Sequence, residues 1–307
     1  MFYYILKRTM IGLLTLFAIL VFVFAFARVT GNPIEVMYPE GLEPGQMELY
    51  NAKYGLDRNI AEQFIIYIKN MIQGNYGQSI IDRRPVTEVI FSRAGETIKL
   101  GVGAFAISIV FGVSLGVFTA VKKGTFVAEL ANHIMAALYA VPGFIIAIFL
   151  MLLFSFYLHL LPSQGGGTAK HYIMPVICLS IGPIISIARY IKNGIAETIT
   201  QDYIRTAVAK GIGKRNTIYR HALRNALIPT LTQIGMVIVD IISGSVVIES
   251  VFSWPGIGLT LVSSVLGRDF PVIQFSVVLL SLVVIIVNYI IDILLMIVDP
   301  RIGKGET

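Results

Sequence analysis

Asp202-Tyr-Ile-Arg-Thr-Ala-Val-Ala-Lys-Gly-Ile-Gly-Lys214, continued by His221-Ala-Leu-Arg-Asn-Ala-Leu-Ile-Pro229, is a polar and basic stretch set between long apolar runs. From Tyr190 to Pro229 the connector is about forty residues long, where helix connections commonly take a handful. A lone lipid-embedded bundle has no use for that length, so the stretch reads as the place where this chain meets another protein. The rest of the chain sets the context. Of 307 residues, 56% are hydrophobic and 14% charged, and the mean hydropathy is +0.78. Those values exclude a soluble domain and point to a polytopic membrane protein.

Working outward, runs long enough to cross roughly 30 Å of hydrocarbon as helices fall at 9–27, 97–121, 134–158, 172–190, 229–250 and 272–298. The expected fold is all-α with six transmembrane helices. The first run follows Lys7-Arg8 and lacks a small-residue cleavage pattern, so it reads as an uncleaved anchor rather than a signal peptide. The net charge of +6 reports orientation rather than nucleic-acid binding. Lys7, Arg8, Lys122, Lys123, the eight basic residues from Arg189 to Arg224, Arg301 and Lys304 fall on one side, against Lys170 and Arg268 in the two short loops opposite. The richer side is cytoplasmic, and it holds both termini. Cys178, alone of its kind, lies in an apolar run and suggests neither disulfides nor a metal site.

The segment 28–96 is long and carries nine carboxylates, so its basic residues count little toward orientation. Its turn signals run from Gly31-Asn-Pro33 through Pro39 and Pro44. Beyond Met47, Leu49, Ala52, Leu56, Ile60, Phe64, Tyr67, Ile68 and Met71 recur at helical spacing, which predicts amphipathic helices over the outer face. The external connection 159–171, with Gly165-Gly-Gly167, reads as a flexible turn. The connection 251–271 holds Trp254-Pro-Gly-Ile-Gly258 and reads as a loop anchored by an interfacial tryptophan. We therefore divide the chain into 1–27 (tail and first span), an external subdomain 28–96, a transmembrane core 97–298 containing a cytoplasmic loop 191–228, and a tail 299–307. No repeat relates the two halves, which weighs against an inverted-repeat carrier.

Within the loop, Ile204, Val208 and Ile212 share one helical face and Ile218, Ala222 and Ala226 another, with Gly211 and Gly213 between them. Lys210/Lys214 and Arg220/Arg224 form basic pairs at i,i+4, and Ala207 and Gly211 would permit close approach by a partner. Pattern alone balances a docking helix against a basic loop that merely obeys the charge rule. At these residues the chain resembles the membrane permeases of binding-protein-dependent ABC importers, in the branch carrying dipeptides and oligopeptides. Arg205-Thr206 stands where Glu-Ala is common among ABC importers at large, and this departure is itself similar to the peptide branch. Further landmarks of the resemblance are Lys53-Tyr-Gly-Leu-Asp57, Gly74-Asn-Tyr-Gly-Gln-Ser79, Arg84-Pro-Val86, Trp254-Pro-Gly-Ile-Gly258, Arg268-Asp-Phe-Pro-Val-Ile-Gln274 and Asp299-Pro-Arg301.

The resemblance implies a type I ABC importer permease fold in a cytoplasmic (inner) membrane. It also implies a homologous second permease, two cytoplasmic ATPases that hold ATP and Mg2+, an extracytoplasmic substrate-binding protein and a peptide substrate. No cofactor is then expected on this chain, and no metal or catalytic residue. Tyr203, Arg205, Thr206, Ala207, Lys210, Gly211 and Lys214 would belong to a coupling helix seated on the ATPase, and Trp254, Pro255, Gly256 and Gly258 to an external gate or loop. Glutathione, nickel chelates or another small solute are alternative cargoes.

Two motifs tempt toward other chemistry. Gly211-Ile-Gly-Lys214 is no phosphate loop, because Val208 stands where its first glycine belongs and Arg215 follows the lysine. Gly112-Val-Ser-Leu-Gly116 matches a nucleophile elbow and would make Ser114 the serine of an intramembrane protease. Yet His133, His159, His171 and His221 fall at span ends or in loops, and Gly112 and Gly116 suit helix packing. Asp240 and Asp292 lie within spans, where carboxylates are costly and face a bundle interior or cavity. Asp292 lies near the cytoplasmic end and reads as structural. Asp240 is deeper, and a pathway role competes there with a helix-to-helix hydrogen bond. These two acids alone would support an ion-coupled carrier.

Overall fold

The computed structural model describes residues 2–29, 42, 45–54, 56–209, 213 and 216–298. Its elements are helices, because each long apolar run must satisfy its backbone internally if it is to sit in lipid. They are α1 Phe2–Val29, α2 Gln46–Tyr54, α3 Ile60–Ile72, α4 Val86–Val121, α5 Phe126–Ala140 and α6 Gly143–Leu150, which continues as a π-helical stretch Met151–Tyr157. Then come α7 Ala169–Ile199, α8 Asp202–Ala209, a π-helical stretch Thr217–Ala222, α9 Leu223–Val251, α10 Ile257–Leu266 and α11 Phe270–Val298. Five of these helices are long and apolar enough to cross a membrane, and α5 with α6 makes a sixth span if the bent pair counts as one.

That pair corrects the expected unbroken helix over 134–158. Its two halves meet at an angle of 101°. Pro142 has no amide hydrogen and disfavours helical geometry at the residue before it, and Val141 is extended at φ −90° and ψ 125°. Pro175 and Pro183, by contrast, lie inside α7 without ending it.

The long polar connector is mostly helix among its described residues. The span helix α7 runs on to Ile199 and α9 begins at Leu223, with α8 between them. Ile204, Ile218, Ala222 and Ala226 are buried as the periodicity required. Lys210, Gly211, Ile212, Lys214, Arg215 and the segment 299–307 lie outside the described residues, as do the side chains of Ala207, Val208, Arg220, His221 and Arg224.

The chain forms two compact units. One comprises Glu96–Pro255 and the chain from Ile286, and the other Phe2–Gly95 with Gly256–Ile285. In the first, the main buried cluster runs along α7 and α9 through Leu179, Ile187, Ile191, Ile195, Val237, Ile241 and Ile248. Close approach of backbones makes this possible. A Cβ at Gly116 would stand 2.7 Å from both the Ala188 carbonyl oxygen and the Ile191 Cβ, and one at Gly112 2.8 Å from the Ile187 Cβ. The Gly112–Gly116 pair is therefore a packing face, the small-residue seam by which membrane helices associate. Ser114 donates to the Val110 carbonyl of its own helix at 2.6 Å.

In the second unit, Phe64 and Tyr67 of α3 pack on Phe24 of α1, with ring centroids 5.2 and 5.6 Å apart. Asn59 caps α3 by accepting from the Glu62 backbone amide at 2.9 Å, which satisfies one orphan donor of the first turn, while its side-chain NH2 donates to the Glu62 carboxylate at 2.7 Å.

Candidate functional site

Three places bring functional residue types together. The first is a cavity of about 390 Å³ in the Glu96–Pro255 unit, lined by Tyr139, Val141, Pro142, Gly143, Gly182, Pro183, Asp240 and Gly244 among others. Its position follows from the chain's breaks. Pro142 opens the α5–α6 elbow, Pro183 and Gly182 thin one wall on α7, and Gly244 thins another on α9. A Cβ at Gly143 or Gly182 would meet nothing within 4 Å. Asp240 is the sole carboxylate on this lining. Among the described residues it has no hydrogen-bond or ion-pair partner. Asp292 lies elsewhere, half-buried on α11.

The second place is the short helix α8, in the connector between α7 and α9. Tyr203 is exposed and its hydroxyl accepts from the Asn225 side-chain amide at 2.7 Å, which ties α8 to the start of α9. Ile204 on the opposite face is buried. Arg205 is exposed, 3.5 Å from the Asp202 carboxylate, and the Thr206 hydroxyl donates to the Asp202 carbonyl at 3.0 Å. The helix thus turns one apolar face inward and presents a polar one outward.

The third is the connection 251–271, where the structure corrects two expectations. Trp254 is not an interfacial anchor: its side chain is fully buried, its indole N–H donates to the Glu96 carbonyl at 3.3 Å, and its ring meets Tyr172 edge-on with centroids 4.4 Å apart. The Glu96 carboxylate accepts from Tyr172 at 3.0 Å and from Lys99 at 2.6 Å. The glycine turn 165–167 is held rather than free, since the Gly165 amide donates to the Phe252 carbonyl at 2.9 Å and a Cβ on Gly166 would stand 3.2 Å from Pro255. Burial of a large amphipathic ring with its N–H satisfied gives more than an interfacial perch would. Gly256 caps the start of α10 and Gly258 is buried within it.

In the second unit two of the sequence landmarks meet. The Asp269 carboxylate accepts from the Ser79 hydroxyl at 2.5 Å, the Ile80 amide at 3.1 Å and the Ile81 amide at 3.3 Å, so Gly74–Ser79 and Arg268–Gln274 form one clasp. Sequence reading saw each half but not the pairing. It also passed over Glu249, a fully buried carboxylate on α9 whose signal was an acid inside an apolar run. Arg189 was read only for orientation, yet its guanidinium sits 4.6 Å from the centroid of the Tyr139 ring.

Comparison with known proteins places the chain. The family described as the binding-protein-dependent transport system inner membrane component matches residues 112–304, and its N-terminal companion matches residues 1–101. The glutathione transport system permease protein GsiC of Shigella flexneri serotype 5b is 36% identical over 97% of this chain and 98% of its own length. The dipeptide transport system permease protein DppB of Lactococcus lactis subsp. cremoris is 37% identical over the same shares. Among solved structures, the inward-facing MetNI methionine ABC transporter superposes with a TM-score of 0.60 at 18% identity, over 70% of this chain and 98% of that one. A crystal structure of an amino acid ABC transporter with histidines gives a TM-score of 0.51 at 17% identity, covering 70% of this chain and 94% of that one. The helical architecture is thus the type I importer permease fold, and the chain belongs to the family of inner membrane components of binding-protein-dependent transport systems, the permease subunits of ABC importers.

Proposed function

We propose that this permease imports short peptides, glutathione among them. Its full machine comprises a second homologous permease, two cytoplasmic ATPases that hydrolyse ATP with Mg2+, and an external binding protein. The observation that carries this reading is likeness along 97% of the chain to both a glutathione and a dipeptide permease, two cargoes that share a peptide backbone and free ends. Hydrolysis belongs to the partners, since this chain's glycine-lysine run does not make a phosphate loop. The exposed face of α8, with Tyr203, Arg205 and Thr206, together with the flanking Ala207, Lys210, Gly211 and Lys214, docks on an ATPase. Trp254, Pro255, Gly256 and Gly258 belong to the external gate, and both termini are cytoplasmic. The external subdomain 28–96 and the loop 251–271 face the binding protein, outside the core 97–298 and its coupling loop 191–228.

Asp240 lines the translocation path and meets the cationic amino end of the peptide in passing. A carboxylate at that depth requires a polar neighbour or water, and the cavity provides room for one. The reconstituted assembly, given its binding protein and ATP, should accumulate trialanine in proteoliposomes. Asp240→Asn should slow import of the free peptide roughly tenfold and that of N-acetyl-trialanine far less. Uptake driven by an ion gradient without ATP, or no uptake of any peptide, would overturn the reading.

A further inference from the structure

Two opposite charges stand in one unit, and neither has a counter-ion among the described residues. One is Asp240, on the cavity wall. The other is Arg189, on α7, six residues beyond the cavity-lining Pro183, which is about 9 Å of helical rise. The link between them is Tyr139. Its ring lines the same cavity and lies 4.6 Å under the Arg189 guanidinium. A cation over an aromatic face is held by the ring quadrupole without using its N–H donors, so the planar fork of Arg189 keeps its geometry for a carboxylate.

We propose that Arg189, held by Tyr139 at the rim of the Asp240 cavity, recognises the terminal carboxylate of a peptide, so that the two residues form the poles of a transient subsite for zwitterionic cargo. The inference rests on the peptide-import reading and extends it. Weak engagement is sufficient, since a site in the path must also release its cargo. Lys192, one turn further along α7, is already engaged through its ammonium with the Asn132 side-chain oxygen at 3.0 Å, which leaves Arg189 as the available cation.

The test uses the purified permease–ATPase assembly without its binding protein, so that end-group selection can come only from the membrane subunits. The probe is an Ala-benzoylphenylalanine-Ala tripeptide, photolysed on the assembly and mapped by mass spectrometry. Crosslinks are expected in 138–146, 178–183 or 240–248. Trialanine should compete roughly ten times better than its C-terminal amide, a preference abolished in Arg189→Gln and retained in Arg189→Lys. Crosslinks confined to other segments, competition indifferent to the carboxyl group, or an Arg189→Gln assembly with unchanged preference would overturn the proposal. Loss of assembly in Arg189→Gln shifts the reading to Tyr139→Leu, in which the same loss of preference is required. If ATP-driven import of trialanine occurs while these crosslinks fail, the Arg189 assignment alone falls; if no peptide is imported, the peptide reading falls with it.

Discussion

At the scale of the residue, glycines and acids carry opposite lessons. Gly112 and Gly116 decide how near α4 can come to α7, and any side chain there must displace a carbonyl oxygen or a branched carbon. Gly116→Val should therefore lower stability by about 1 to 3 kcal/mol, read as an earlier thermal transition of the solubilised assembly. Ser114→Ala, between them, should leave both stability and transport unchanged. Asp269→Ala removes the acceptor for three donors, one of them the buried Ser79 hydroxyl, and should cost about 2 kcal/mol or more; restoration by Asp269→Asn to within half of that loss would show that charge is dispensable in the clasp. The small-residue seam was legible from spacing alone. Asp269 was legible only as a landmark, because its partners lie about 190 residues away in sequence and nothing local announces a contact of that range.

At the scale of the element, the long helices followed from hydropathy because a span must be both apolar and about 20 residues long. Breaks were harder. Pro142 and Pro183 both sit within apolar runs, yet one ends a helix and the other is absorbed; the outcome depends on neighbours that can take up the freed backbone groups, which periodicity does not encode. The glycine turn 165–167 and Trp254 were misjudged for a related reason. Their pinning comes from Phe252, Pro255, Glu96 and Tyr172, all supplied by other parts of the fold. For α8 the periodic signal was sufficient to pick out Ile204 as a buried residue, while the exposure of Tyr203 and Arg205 came from the fold. A bulky charge next to that exposed face, in Ala207→Arg or Gly211→Arg, should abolish import while membrane insertion and permease pairing persist. Wild-type uptake by either variant would remove the docking assignment.

At the scale of the whole molecule, charge sets the expected orientation. The positive-inside count puts the α4–α5 turn, with Lys122 and Lys123, in the cytoplasm and the glycine turn 165–167 outside. In a Cys178→Ser background, which removes the buried native thiol, a membrane-impermeant maleimide added to intact cells should label Gly167→Cys and spare Lys123→Cys. The reverse pattern would invert the topology and the docking assignment with it. Architecture at this scale was legible because lipid admits so few solutions for a chain of this composition. Cargo was not, since it depends on a few polar groups whose convergence only the fold reveals.

The elbow at Val141–Pro142 carries one more consequence. Ending one helix and starting another at membrane depth exposes the electronegative end of α5 and the electropositive end of α6, each equivalent to about half an elementary charge, next to the same hollow. Hydrocarbon cannot solvate such ends, so the hollow must be wetted whenever cargo is absent. A wetted pit partway through the bilayer shortens the dry barrier that ions and protons face. The permease must therefore close a tight seal on one side of the pit at every stage of its cycle, and variants that straighten the elbow, such as Pro142→Ala, should reduce proton leakage and transport together.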